Sequence, residues 1–239
     1  NGAIVFLKNA LEKDPNFMDA RQQLGVAYMY TLRLEQAERE FQKVLKQNPG
    51  NSDVQIMLAK VLNMTSKPDE ALRVLEKYLA NKPGDAEALE QMGTASFLKK
   101  SHADAERYLL QSLHSDPKRL SAKLELAVVY ASSLRVSDAF RQIDEILLAA
   151  PNNVKAYNLL AQLEINRGNR GKALDIYRHI SDISKNDPAP LYRIGTIYLE
   201  QGDLAKAEQV AAELKQRFPE RAESARLSGI ISFRRNSYS

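Results

Sequence analysis

Three histidines, His102, His114 and His179, are the side chains in this sequence best suited to proton transfer or metal ligation near neutral pH. Ligation from one helix needs two of them at i and i+4, and no pair has that spacing. There is no cysteine, which excludes a disulfide framework and thiolate metal sites. The run Gly168-Asn169-Arg170-Gly171-Lys172 superficially resembles a phosphate cradle. Such a cradle needs a longer glycine spacing and a preceding strand, so the two glycines read as a turn between helices. Asn63-Met64-Thr65 has the form of a glycosylation sequon but falls near the end of a predicted helix, and it reads as accidental. Glu35, Glu38, Glu70, Glu106 and Glu208 fall on helix-surface positions and read as solvated charges with occasional i, i+4 partners. The sequence therefore predicts no catalytic residue, no metal ligand and no cofactor.

The elements that carry these residues recur on a fixed grid. Proline stands every 34 residues, at Pro15, Pro49, Pro83, Pro117 and Pro151; the grid skips Lys185 and returns at Pro219. A self-similar period of this length marks one supersecondary unit stacked repeatedly. Units begin three residues after each proline position and span 18–51, 52–85, 86–119, 120–153, 154–187 and 188–221. Position eight is small throughout: Gly25, Ala59, Gly93, Ala127, Ala161, Gly195 and Gly229. Position twenty is alanine in every full unit, from Ala37 through Ala71, Ala105, Ala139 and Ala173 to Ala207. Apolar residues recur three and four apart, as in Leu24, Ala27, Tyr28 and in Ala37, Phe41, Val44, Leu45, which is the period of a helix. Proline lacks a backbone donor and restricts the residue before it, so it stops the second helix of each unit. At Lys185 that stop is missing, and the helix before it is expected to run about a turn longer, or its turn to be looser, up to Asp187-Pro188.

With these residues in phase over nearly the whole chain, the sequence resembles a tetratricopeptide-repeat protein. The resemblance implies an all-α fold, a right-handed superhelical solenoid of antiparallel helix pairs, acting as a protein-binding scaffold. Residues 1–17 match the second helix of a preceding repeat, and 222–239 the first helix of a truncated one. Neither end reads as a polar cap, so the chain is expected to be a piece of a longer array. A regulatory or substrate-recruiting arm of an enzyme, with its catalytic domain elsewhere, is the alternative reading.

Charge bounds the partners. Lys and Arg number 34 against 30 acidic residues, and residues 1–119 hold 17 basic and 16 acidic side chains, so neither half is a polycation. Nucleic-acid binding would need a basic stripe with stacking aromatics, and the nearest candidates, Lys99-Lys100 and Arg234-Arg235, sit at helix ends. No run approaches the roughly 18 apolar residues of a membrane span. The partner expected is a protein or peptide. A lipid anchor in a parent chain is compatible with this reading.

In tetratricopeptide arrays the concave wall is built from the first helices, which implies where a partner would lie. In this sequence those positions hold Met29 and Tyr30, then Met57, Lys60, Asn63 and Met64, then Gln91, Thr94, Phe97 and Leu98. Later units contribute Lys155, Asn158, Gln162, Arg193 and Arg226. The expected groove residues are Met29, Tyr30, Met57, Lys60 and Phe97 in an apolar first half, and Lys155, Asn158, Gln162, Arg193 and Arg226 in a polar second half. Family members that clamp the C-terminal carboxylate of chaperones use a lysine-asparagine, asparagine, lysine-arginine series, which no three consecutive units reproduce. Stretches such as Phe6-Leu7-Lys8-Asn9-Ala10-Leu11 and Tyr192-Arg193-Ile194-Gly195-Thr196-Ile197-Tyr198 are similar to repeat lipoproteins of bacterial exosortase (PEP-CTERM) protein sorting and exopolysaccharide export. That resemblance implies a periplasmic or envelope-associated scaffold rather than a cytoplasmic one.

Overall fold

The computed structural model describes residues 2–237, which form fourteen α-helices and no strand. They fall into two compact units, divided between Ser133 and Leu134. The first holds α1 (Gly2–Lys13), α2 (Met18–Tyr30), α3 (Leu34–Gln47), α4 (Ser52–Met64), α5 (Pro68–Leu79), α6 (Ala86–Leu98), α7 (His102–Ser115) and α8 (Leu120–Ser132). The second holds α9 (Val136–Ala149), α10 (Val154–Asn166), α11 (Arg170–Ile183), α12 (Ala189–Glu200), α13 (Leu204–Arg217) and α14 (Ala222–Ser237). Within each unit successive helices pack as antiparallel pairs, and alternate helices also touch: α2 with α4, α4 with α6, α6 with α8, and α12 with α14.

Local chemistry explains the helix ends. Asn51, Asp85 and Asn153 stand 34 or 68 residues apart, and each accepts a hydrogen bond from the backbone N–H three residues on, at 2.9–3.1 Å. These are N-caps, which satisfy one of the free donors of a helix start. The turn after each first helix uses a left-handed residue, again every 34 positions: Leu32, Ser66, Lys100, Leu134, Gly168 and Gly202. At Leu32, the Leu32 N–H donates to the Met29 carbonyl and the Arg33 N–H to the Tyr28 carbonyl, the paired bonds of a Schellman turn. The same pair recurs at Ser66, Lys100, Gly168 and Gly202.

Packing uses the small positions. All six alanines at position twenty are fully buried. A methyl group built on Gly25 would lie 2.6 Å from the Phe41 ring, and one on Gly93 would lie 2.6 Å from Leu109 Cγ. Both partners stand at position twenty-four of their units, which otherwise holds Leu75, Ile143 and Tyr177, all buried. In the last full unit that position is Ala211, and Leu227 of α14 moves against Gly195 instead. Leu227 is fully buried there.

The expectation of a longer helix before Lys185 is not met. The α11 helix has 14 residues, as do α3, α7, α9 and α13. Its end closes with the Asp187 N–H donating to the Ser184 carbonyl at 2.9 Å, the same turn that Asn51 makes to Asn48 and Asn153 to Ala150. That turn follows from the register of the next helix, so proline reinforces the stop without being required for it.

Candidate functional site

The first helices of the first unit, α2, α4, α6 and α8, line one hollow of about 530 Å³. Met29 and Tyr30 come from the last turn of α2, Lys60, Asn63 and Met64 from α4, Gln91, Thr94 and Leu98 from α6, and Glu125 from α8; Leu32 in the turn closes one side. Their spacing along each helix, by three and four residues, is what puts them on one face. Tyr30 is 79% exposed, Leu32 72% and Met64 50%. Apolar side chains this exposed and grouped around one hollow are unlike the scattered surface leucines of an ordinary helix bundle.

Polar groups in this hollow are mostly paired. The Lys60 ammonium bonds the Glu87 carboxylate. The Thr94 hydroxyl donates to the Glu125 carboxylate at 2.5 Å. Just behind, Glu90 is buried and receives the Arg119 guanidinium, which also lies 3.9 Å from Glu87. Arg119 occupies the position that holds a capping Asn or Asp in neighbouring units. Burial opposes its charge, but Glu90 and Glu87 outweigh that and hold its pKa above the ordinary arginine value.

One group is different. Asn63 is only 6% exposed, and its amide NH₂ donates to the Gln91 backbone carbonyl at 3.1 Å and to Gln91 Oε1 at 3.2 Å. Its Oδ1 is buried and accepts no hydrogen bond. Flipping the amide would point that oxygen at the Gln91 carbonyl, another acceptor, so the orientation is fixed by the backbone. An orphaned buried acceptor costs about 1–3 kcal/mol.

The remaining expected residues are distributed. Met57 is half-buried against the core of the first unit, as is Met29. Phe97 is half-buried and meets His102 edge-on, with ring centroids 5.6 Å apart. Lys155, Asn158 and Gln162 share one exposed face of α10, and Arg193 and Arg226 are exposed on α12 and α14. The Asn158 amide donates to the Val154 carbonyl and the Gln162 amide to Asn166 Oδ1. Leu32 and Glu125 were not expected in a site. Leu32 stands at the turn position that is glycine at Gly168 and Gly202, and that alignment was its available signal.

The other candidates resolve into packing. His102 Nδ1 lies 3.0 Å from the Ser133 hydroxyl, His114 is in the last turn of α7, and His179 packs edge-on to Tyr157. Among the described residues no group of three His, Asp or Glu side chains is placed to hold a metal ion. No described helix is long and apolar enough to cross a membrane. Glu38 is not solvated as expected: it is 8% exposed and bonds the Lys67 ammonium through both oxygens at 2.9 Å, because α3 packs against α4 and brings the turn after it close. That bond raises the Lys67 pKa above the ordinary lysine value. Three residues of the basic pairs are also engaged: Lys99 with Asp69, Arg235 with Glu208, and Arg234 with the Leu199 carbonyl. A larger hollow, about 720 Å³, lies along the other side of the first unit, between the Pro83-Gly84 turn and the α7 stripe of Ala103, Arg107, Leu110 and His114. It gathers none of the expected groove residues.

Comparison with known proteins places this geometry. Among curated proteins, none matches the sequence closely enough to carry an argument. Among solved structures, PilW, described as a type IV pilus biogenesis factor, is 21% identical; the match covers 89% of this chain and 98% of that one with a TM-score of 0.72. Pseudomonas aeruginosa pilF is also 21% identical, over 89% of this chain and 96% of that one, with a TM-score of 0.64. Yeast Tom70 is 14% identical over 98% of this chain and 51% of its own length, with a TM-score of 0.74. At these identities the likeness is one of fold. The sequence itself matches the tetratricopeptide-repeat model at residues 33–92 and 165–229, together more than half of its length, and the chain belongs to the tetratricopeptide-repeat family.

Proposed function

We propose that the chain is a non-catalytic scaffold that binds a segment of another protein on the inner faces of its first helices. The observation that carries this reading is the hollow of the first unit, where Tyr30, Leu32, Met64 and Leu98 gather beside half-buried Met29 at a surface that packing alone does not require. In the second unit the exposed Lys155, Asn158 and Gln162 on α10, with Arg193 and Arg226, would supply the polar contacts to that segment. Apolar anchors supply most of the binding energy, and polar groups on the rim govern partner choice. The repeat boundaries 18–51 through 188–221 define the units of that scaffold. We assign it to the bacterial envelope, in assembly, protein sorting or polymer export. Support comes from the likeness of its sequence stretches to envelope repeat lipoproteins and from the description of PilW as a pilus biogenesis factor. The test is site-specific photocrosslinking in an envelope extract, with the crosslinker at position 30 and, as control, at Leu110 in the α7 hollow. Crosslinks to discrete proteins from position 30, competed by unlabelled chain, are expected; crosslinks from position 110 alone would move the binding face to the other side.

A further inference from the structure

We propose that the hollow of the first unit takes an uncharged, apolar stretch of polypeptide in extended form, and that Asn63 Oδ1 receives one of its backbone N–H groups. This rests on reading that face as a protein-binding surface and names the chemistry it selects. Three observations converge. The charged side chains lining the hollow are engaged within the protein, Lys60 by Glu87 and Glu125 by Thr94. A charged partner residue would lose its hydration against this apolar lining, and an anionic one would find the Lys60 ammonium already held by Glu87. The exposed lining is apolar, led by Tyr30, Leu32, Met64 and Leu98. Finally, Asn63 brings a buried acceptor with no donor to the wall, locked in orientation by Gln91.

The unsatisfied acceptor decides between extended and helical partners. A helix uses nearly all of its own backbone N–H groups, whereas an extended segment carries them free along its length. A volume near 530 Å³ lies within the range of ligand clefts, about 300–1,000 Å³. Access to the Asn63 oxygen requires neighbours to give way, and Met29 and Met64, unbranched and flexible, are the lining side chains that can do so.

The experiment pans a random twelve-residue peptide display library on the whole chain and measures synthetic copies of the enriched sequences by fluorescence anisotropy. The expected pool is poor in Asp, Glu, Lys and Arg, and its binding is insensitive to salt. Asn63→Leu should weaken it about tenfold while keeping an unchanged or higher melting temperature. Methylating peptide nitrogens one at a time should find one position costing about tenfold with the native chain and little with Asn63→Leu. If that variant fails to fold, the methylation scan on the native chain still decides, a flat scan overturning the proposal. Charged enriched peptides that still lose affinity with Tyr30→Ala would overturn the selectivity and leave the binding face standing. A pool indifferent to both Tyr30→Ala and Met64→Ala, or no enrichment, would overturn the binding face as well.

Discussion

At the scale of single residues, the 34-residue register fixes two backbone demands, and the chain answers them unevenly. The turn after each first helix needs a left-handed residue, and only Gly168 and Gly202 meet it without a Cβ. Leu32, Ser66, Lys100 and Leu134 adopt φ between 57° and 62°, a conformation that costs L-residues about 1–2 kcal/mol. Lys100→Gly should therefore stabilise the protein by about 0.5–1 kcal/mol after the loss of chain entropy in the unfolded state. Chemical denaturation would show it as a raised midpoint at constant slope. The second demand is close approach at position eight. Gly93→Ala would force its methyl into Leu109 and should cost about 1–3 kcal/mol. Gly229→Ala, at the same position of α14 with nothing within 4 Å, should be neutral or stabilising by up to about 1 kcal/mol. Equal effects of the two alanines on the melting temperature would refute the packing assignment. The small position was legible because it repeats in residue type. The left-handed turn was legible only where glycine marks it, since leucine, serine and lysine carry no signal of positive φ.

At the scale of the elements, helix ends are set by bonds between neighbours more than by the residues that punctuate the sequence. The α11 helix stops on register without a proline. The α5–α6 connection shows a different tie: the Tyr78 hydroxyl donates to Asp85 Oδ2 at 2.8 Å while Asp85 Oδ1 caps α6 through the Ala88 N–H. Burial, then the bond to Asp85, pushes the Tyr78 pKa up to about 12. The folded value lies above the unfolded one near 10, so this contribution is complete below pH 10 and is lost as pH rises towards 12. Melting temperature should fall over that window, and Tyr78→Phe should lower stability at neutral pH yet flatten the alkaline decline. An unchanged alkaline slope in Tyr78→Phe would assign the decline to other groups. Of the candidate site, the groove positions on first helices could be read in advance because they follow from the helical period. The pairing of Lys60 with Glu87 and the orphaned oxygen of Asn63 could not, since both depend on side-chain geometry between α4 and α6 rather than on spacing within either helix.

At the scale of the whole molecule, two hydrophobic clusters can be traced among the described residues. The first runs from Ile4 to Ala95 and centres on Phe41, Leu62 and Leu75; the second runs from Ala161 to Ile231 and centres on Tyr177, Ile194 and Leu214. In a stacked repeat each element contacts mainly its neighbours, so stability is close to a sum of local terms and need not be lost in one step. Phe41→Ala tests this. Phe41 is fully buried against Gly25, and its truncation should cost about 3–5 kcal/mol within the first cluster. Hydrogen exchange followed by mass spectrometry should show faster exchange across α2, α3 and α4, while α12 and α13 keep most of their protection. The neighbouring small residue Gly25 limits how far the site can collapse, so the loss should sit at the upper part of that range. Protection falling equally in α3 and α13 would mean that the array unfolds as one block, and local additivity would then be the wrong description of this chain.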